Sequence, residues 1–296
     1  MNTAANYTLK ILETPQEIAQ VEALEAQVWP GVRVVPGHVL LTAAHNGGLV
    51  IGCYDEQTLV GFAFGFVGIP SGPGKPAFKH CSHMLGVHPD YRDAGIGFKL
   101  KRAQWQMVRQ QGLDLVTWTF DPLESRNAYF NIAKLGAVCS TYKREEYGEM
   151  QDALNAGLPS DRFQVDWWVN SARAEKRLSS QPRPKLDLAH FLAGGAYTLN
   201  PTSLRADGLA LPSGEVLALP DSPEDQPPLL LVEIPTDFQA MRSTDRQLAL
   251  NWRLHTRKIF EQLFSLEYFV TDFVFLPGKH PRSYYVLSRG SSTLGG

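Results

Sequence analysis

Six consecutive residues, Arg92-Asp93-Ala94-Gly95-Ile96-Gly97, are the part of this sequence best suited to chemistry. Two glycines one residue apart let a chain turn tightly and leave several N–H groups pointing at one spot. The apolar residues that follow, Ile96, Leu100, Ala103 and Met107, have helical spacing, so a helix N-terminus adds its positive dipole end at the same place. Such a turn is an anion cradle suited to a pyrophosphate, with Lys99, Lys101 and Arg102 placed to reach a more distant phosphate. The hexapeptide alone serves equally as an ordinary turn between strand and helix, so the elements around it must decide.

Those elements read clearly. Tyr7 to Leu12 has strand character, and Thr14-Pro15-Gln16-Glu17 supplies an N-cap, a first-turn proline and a capping-box glutamate. Ile18, Val21, Leu24 and Val28 continue that helix, and Trp29-Pro30-Gly31 ends it. Leu49 to Tyr54 and Leu59 to Val67, separated by Asp55-Glu56-Gln57-Thr58, read as a hairpin. After the Pro- and Gly-rich loop from Pro70 to Pro76, His80 to Val87 reads as a strand whose alternation puts Cys81, His83, Leu85 and Val87 on one face. Gly112 caps the helix that follows the cradle. Leu113 to Phe120 is apolar enough for a strand covered on both faces, and Asn127 to Leu135 is a short helix stopped by Gly136. The fold class is therefore α/β with a mixed sheet.

Composition narrows the function. The chain has 296 residues, 44% hydrophobic and 20% charged, enough to bury a core and to divide into two domains. Lys plus Arg number 28 against 30 Asp plus Glu, so no global positive field gathers nucleic acid, and a small-molecule partner is favoured. Cys53, Cys81 and Cys139 have neither CxxC nor Cys/His metal spacing, which argues against disulfides and against a metal site. Cys81 and Cys139 read as small core residues. The first ten residues lack a signal-peptide core and no run approaches about 18 apolar residues, so the expectation is a cytoplasmic protein with no membrane partner.

The stretch Leu85-Gly86-Val87-His88-Pro89-Asp90-Tyr91-Arg92-Asp93-Ala94-Gly95-Ile96-Gly97 resembles the acetyl-CoA signature of the GNAT superfamily, in which strand, Arg/Gln-x-x-Gly-x-Gly/Ala and helix are joined. The preceding hairpin and the following strand match that family's order over about residues 7 to 150. A Rossmann unit fits less well, because its glycine motif follows the first strand of a βαβ unit. The resemblance implies a fourth strand splayed from the fifth, with pantetheine bonded to the backbone of Leu85 and Val87 and the pyrophosphate at Arg92, Asp93, Ala94, Gly95, Ile96 and Gly97. It places Asn127 and Phe130 beside the pantetheine.

The implied reaction needs a base and an acid. His83 is the base candidate, matching a histidine position of the arylalkylamine acetyltransferases, with an imidazole pKa of about 6.5 and a structural hydrogen-bonding role as the alternative. His80, Asp121 and Glu124 are reserves. The family's tyrosine acid falls at Ile132, and Tyr129 stands in for it or packs in the core.

The segment 171–187 shifts to Arg, Lys, Ser, Gln and Pro and reads as a linker between a catalytic domain, 1–170, and a second, smaller, degenerate GNAT-like unit, 188–296. In that unit Leu229 to Ile234 and Tyr268 to Leu276 are strands flanking a helix striped by Leu248, Trp252, Ile259 and Leu263. Asp121 to Ala128, Gly157 to Arg162 and Glu233 to Phe275 resemble a group of predicted bacterial GNAT acyltransferases, and Asp161 and Arg162 are candidates for the acceptor pocket or for structure. The expected function is N-acylation of a small-molecule amine, such as an amino acid, from acetyl-CoA or succinyl-CoA. A non-catalytic acyl-CoA sensor or scaffold is the alternative, and a homodimer is the oligomer considered.

Overall fold

The computed structural model describes residues 7–70, 76–148, 157–179, 186–212, 214, 216–220 and 222–290; the interior of the Pro- and Gly-rich loop, 71–75, and residues 180–185 of the expected linker lie outside them. Packing gathers the chain into two compact units, one running through Trp118 and including Trp168–Asn170, the other formed by Thr119–Trp167 and the residues from Ser171 onward.

In the first unit the strands β1 (Thr8–Ile11), β2 (Leu49–Asp55), β3 (Thr58–Gly68), β4 (Lys79–Val87) and β5 (Leu115–Phe120) lie in that order. All pairs are antiparallel except β4 with β5. The antiparallel β2–β3 hairpin ahead of the glycine turn excludes a Rossmann unit there. Helix α1 (Pro15–Val28) starts as its residues dictate: the Glu17 N–H donates to Thr14 Oγ1, and the Glu17 carboxylate accepts the Thr14 N–H. With α2 (Gly37–His45) it covers one sheet face, burying Leu12, Leu24, Leu40, Phe62 and Phe64 together. Helix α3 (Ile96–Gln110) covers the other: a Cβ added to Gly61 would strike Ile96 and Leu100.

The second unit holds α4 (Ser125–Ala128), a π-helical turn at Tyr129–Lys134, β6 (Val138–Lys143), β7 (Arg162–Trp168), α5 (Ala172–Leu178) and α6 (Leu188–Ala193). After β8 (Tyr197–Thr198), β9 (Ser203–Leu204) and β10 (Ala210–Leu211) come β11 (Leu229–Ile234), α7 (Phe238–Thr244), α8 (Arg246–Ser265), β12 (Tyr268–Leu276) and β13 (Arg282–Arg289). The main strands run β7-β6-β12-β13-β11-β8.

Two features differ from the sequence expectation. The front of the charged 171–187 segment is folded: α5 buries Ala174 and Leu178, Arg173 donates to the Gly136 carbonyl, and Arg177 pairs with Asp272 at 2.9 Å. The strands Leu229–Ile234 and Tyr268–Leu276 also do not neighbour each other as β4 and β5 do, because β13 lies between them and pairs antiparallel with both. The expected helix stripe is in place, with Leu248, Trp252, Ile259 and Leu263 all buried.

Candidate functional site

The cradle is built as its residues require. A short 3₁₀ turn at Pro89–Tyr91 leads into Arg92, and both Asp93 (φ 67) and Gly95 (φ 77) take the left-handed conformation before α3 begins at Ile96. Gly95 is the N-cap and offers no side chain to satisfy the first helical amides. Among the described residues the N–H groups of Ala94, Gly95, Ile96 and Gly97 have no backbone or side-chain acceptor, and Arg92 to Gly95 are exposed. Alternating right- and left-handed residues at a helix start form a concave amide nest that suits a diphosphate. A Cβ on Gly95 would meet nothing within 4 Å, so the space in front of these amides is open.

Beside the nest, β4 presents one edge. It pairs with β5 only at His80–Val116 and Cys81–Thr117, although it runs on to Val87. The His88 N–H donates to the Val60 carbonyl of β3. Alternation along the strand therefore turns the main-chain groups of Leu85 and Val87 away from β3, toward the side where pairing with β5 has stopped. These are the groups assigned to pantetheine by resemblance.

One sequence expectation is corrected here. Cys81, His83, Leu85 and Val87 do not share a face, because β4 carries a bulge: Ser82 pairs with Gly65 and Met84 with Phe64, leaving His83 as the extra residue. Val87 lies opposite Gly61, on the α3 side, whereas Met84 packs with Phe62 and Phe64 on the α1–α2 side. His83 joins that second side, its ring 6.0 Å from Phe64 and 6.1 Å from Phe66. The residue is exposed while its ring lies against the two phenyl rings, and the partial burial of the imidazole holds its pKa below the ordinary value, which favours the neutral form at pH 7.

The remaining candidates sort differently. Lys101 is 2% exposed and turns inward, so it is not available to a phosphate; burial pulls its ammonium down to about 7. Lys99 lies over the Tyr7 ring and Arg102 is exposed. Lys101 and Gln104 belong to the buried stripe Ile96, Leu100, Lys101, Gln104 and Val108, which a reading confined to apolar residues missed. A helical i, i+4 series from Ile96 would have found Gln104.

His80 is fully buried and its Nε2 meets Gln104 Nε2 at 3.1 Å, so it is no solvent-facing base. Burial, reinforced by the Lys101 charge, pushes it down to about 3 from 6.5. The unfolded chain therefore takes up a proton below pH 6.5 that the folded protein refuses, and stability falls as pH drops through that window. The loss is on the order of 3 kcal/mol by pH 4. Urea midpoints at pH 7, 5 and 4 should show it, and His80→Gln should flatten it; an equally steep loss in that variant assigns it elsewhere.

Tyr129, Asn127 and Phe130 belong to the second unit. Tyr129 opens the π turn half-buried, Asn127 is exposed on α4, and Ile132 is fully buried. In the same unit Asp121 is held by Arg253 at 2.8 and 2.5 Å, and Asp161 by Arg257 at 2.7 and 2.8 Å and by the Tyr142 hydroxyl at 2.7 Å. Burial raises both carboxyls, but their guanidinium partners outweigh it and hold them below the usual range. Both carboxylates are thus engaged by arginines of α8. Glu124 differs, since burial and the Asp121 charge raise its pKa while Gln239 donates to it.

Burial pushes Cys53 up to about 11 and raises Cys139 further, so both behave as core residues. Among the described residues no group of three His, Cys, Asp or Glu could hold a metal, and no helix is long and apolar enough to cross a membrane. A cleft of about 450 Å³ between α1, the start of β3 and the His88–Tyr91 turn contains none of the proposed site residues.

The family model of the Acetyltransferase (GNAT) family matches residues 17–136, from the third residue of α1 to two residues past the π turn. No curated protein matches the chain. Among solved structures, NAA60 of Arabidopsis thaliana in complex with acetyl-CoA is similar at 12% identity, over 55% of this chain and 99% of that one, with a TM-score of 0.45. An N-acetyltransferase from Staphylococcus aureus Mu50 is similar at 14% identity over 55% and 99%, TM-score 0.43. Naa50 of Arabidopsis thaliana with the bisubstrate analogue CoA-Ac-MVNAL is similar at 17% identity over 54% and 97%, TM-score 0.42.

Proposed function

We propose that the chain is an N-acyltransferase drawing on an acyl-CoA, a reading supported by the match of residues 17–136 to the GNAT acetyltransferase family model, and that it acylates the amine of a small molecule such as an amino acid. Acetyl-CoA is the proposed donor and succinyl-CoA its alternative. The observation that carries the reading is the left-handed Asp93–Gly95 turn, whose open amides stand next to the released edge of β4. An acyl-CoA supplies a thioester whose carbonyl carbon accepts an amine nitrogen.

The chain's own groups divide that work. The amides of Ala94 to Gly97, with Arg92 and Asp93 completing the turn, receive the diphosphate, and the main-chain groups of Leu85 and Val87 align the arm. His83, neutral at pH 7, takes the proton from the attacking nitrogen as the new C–N bond forms. The C–S bond breaks, its electron pair leaves on sulfur, and the sulfur acquires a proton from Tyr129 or from solvent. Ile132 cannot serve as that acid. Asn127 and Phe130 are proposed to flank the arm. Residues 1–170 are proposed as the catalytic domain and 188–296 as a companion, with a homodimer as the assembly and the cytoplasm as the location.

Thiol release from acetyl-CoA and succinyl-CoA, followed across a panel of amines and amino acids, tests this directly. His83→Ala should lower kcat at least tenfold while leaving CoA affinity within about twofold. Because the His83 imidazole is held below its ordinary pKa, wild-type kcat should persist below pH 6.5 and fall only as the ring takes its proton. An identical pH profile in the variant removes His83 from the reaction. Tight CoA binding with no thiol release from any amine would favour a sensor instead.

A further inference from the structure

Behind β4, on its α3 side, lies a buried polar cluster for which the acyl-transfer reading has no use. Lys101 Nζ donates to Ser82 Oγ at 2.8 Å and to Gln104 Oε1 at 2.9 Å, and the Ser82 hydroxyl donates to the same Oε1 at 3.0 Å. The ammonium stands 3.7 Å from the centre of the Trp118 ring, and Gln104 reaches on to His80. Lys101 and Gln104 are 2% and 0% exposed. Taking an ammonium out of water is costly, and apolar replacements of buried charges are often neutral or stabilising, so stability alone does not account for a lysine here.

What the cluster holds is more telling. Ser82 is the first residue of β4 beyond the last pair with β5, and it immediately precedes His83, the extra residue of the bulge. On the β5 side the strand has no ladder at that point, so α3 supplies the anchor through the Ser82 side chain. Gly65, opposite Ser82, leaves room for this: a Cβ there would strike the His80 ring. A bulge displaced by one residue would turn His83 to the other face and bring a neighbour into its place. We propose that Lys101 and Gln104 are positioning residues that pin Ser82, fixing the bulge so that His83 is presented between Phe64 and Phe66. The proposal rests on the acyl-transfer reading only in making His83 the residue worth presenting.

The test uses the full chain and three variants, Lys101→Met, Ser82→Ala and Ser82→Thr. Lys101→Met keeps the side-chain length without the donors, and Ser82→Thr keeps the hydroxyl that Ser82→Ala removes. Five quantities are read: thermal midpoint, CoA affinity by calorimetry, kcat and KM for the best amine of the panel, and the His83 imidazole resonances by NMR. Lys101→Met and Ser82→Ala should keep or raise the thermal midpoint, hold CoA affinity within about twofold, lower kcat about tenfold with little change in KM, and shift the His83 resonances. Ser82→Thr should restore all of them. Unshifted His83 resonances in both Lys101→Met and Ser82→Ala overturn the proposal, as does a kcat loss that Ser82→Thr fails to recover. Should the wild-type protein bind CoA yet release no thiol, the acyl-transfer reading fails by itself, and the NMR shift still decides whether the bulge is pinned.

Discussion

Gly95→Val is expected to cost on the order of a hundredfold in CoA affinity, while leaving the protein folded. Gly95 sits at φ 77, where a β-branched residue is strained by roughly 1–2 kcal/mol. Strain by itself lowers stability and raises the dissociation constant only if the turn relaxes. The second contribution is steric and acts on the ligand alone, since a Cβ at this position meets no protein atom within 4 Å and its branches are expected to take up open space that the diphosphate would need. Gly95→Ala separates the two: it carries most of the backbone strain with one added methyl, and should lose about tenfold less affinity than valine. Calorimetric titration of CoA into both variants, beside their urea midpoints, gives the comparison. A valine variant with wild-type affinity would mean that the diphosphate does not use this turn.

The left-handed turn ahead of α3 was legible because everything that makes it is local. The glycine spacing, the strand before and the helix after lie within a few residues of one another, and the same is true of the Thr14–Glu17 capping box and the Glu56-Gln57 turn joining β2 to β3. The face on which His83 stands was not legible. Alternation read from Cys81 to Val87 is correct for an unbroken strand, but one extra residue reverses every side chain beyond it, and no residue type between His80 and Val87 announces a bulge. Its place is set by β3 across the ladder and by α3 behind it, both distant in sequence. Lys101 and Gln104 were hidden by a different rule: polar residues on a helix are read as its wet side, and only the structure shows them facing Ser82. In the second unit the strands and the α8 stripe were visible, while the insertion of β13 between β12 and β11 was not, since pairing order depends on contacts far apart in sequence.

Arg253→Met is expected to be the most destabilising single change in the second unit, at about 3–5 kcal/mol, because it strips a buried carboxylate of its partner. Arg253 is 1% exposed on α8, and its two terminal nitrogens meet the two Asp121 oxygens at 2.8 and 2.5 Å. The nearest remaining cation, Arg162, is 3.7 Å from Asp121 and cannot repeat that two-pronged geometry. Asp121 would then keep the cost of burial without the compensation that now holds its pKa below the usual range. The double variant Asp121→Asn with Arg253→Met removes the stranded charge and should recover a substantial part of the loss, as expected for a buried pair whose members are worse apart than absent together. Urea unfolding of the two single variants and the double variant measures the coupling. A loss below about 1 kcal/mol for Arg253→Met, or additive losses in the double variant, would show that the pair is not what holds α8 to Asp121 within the second unit.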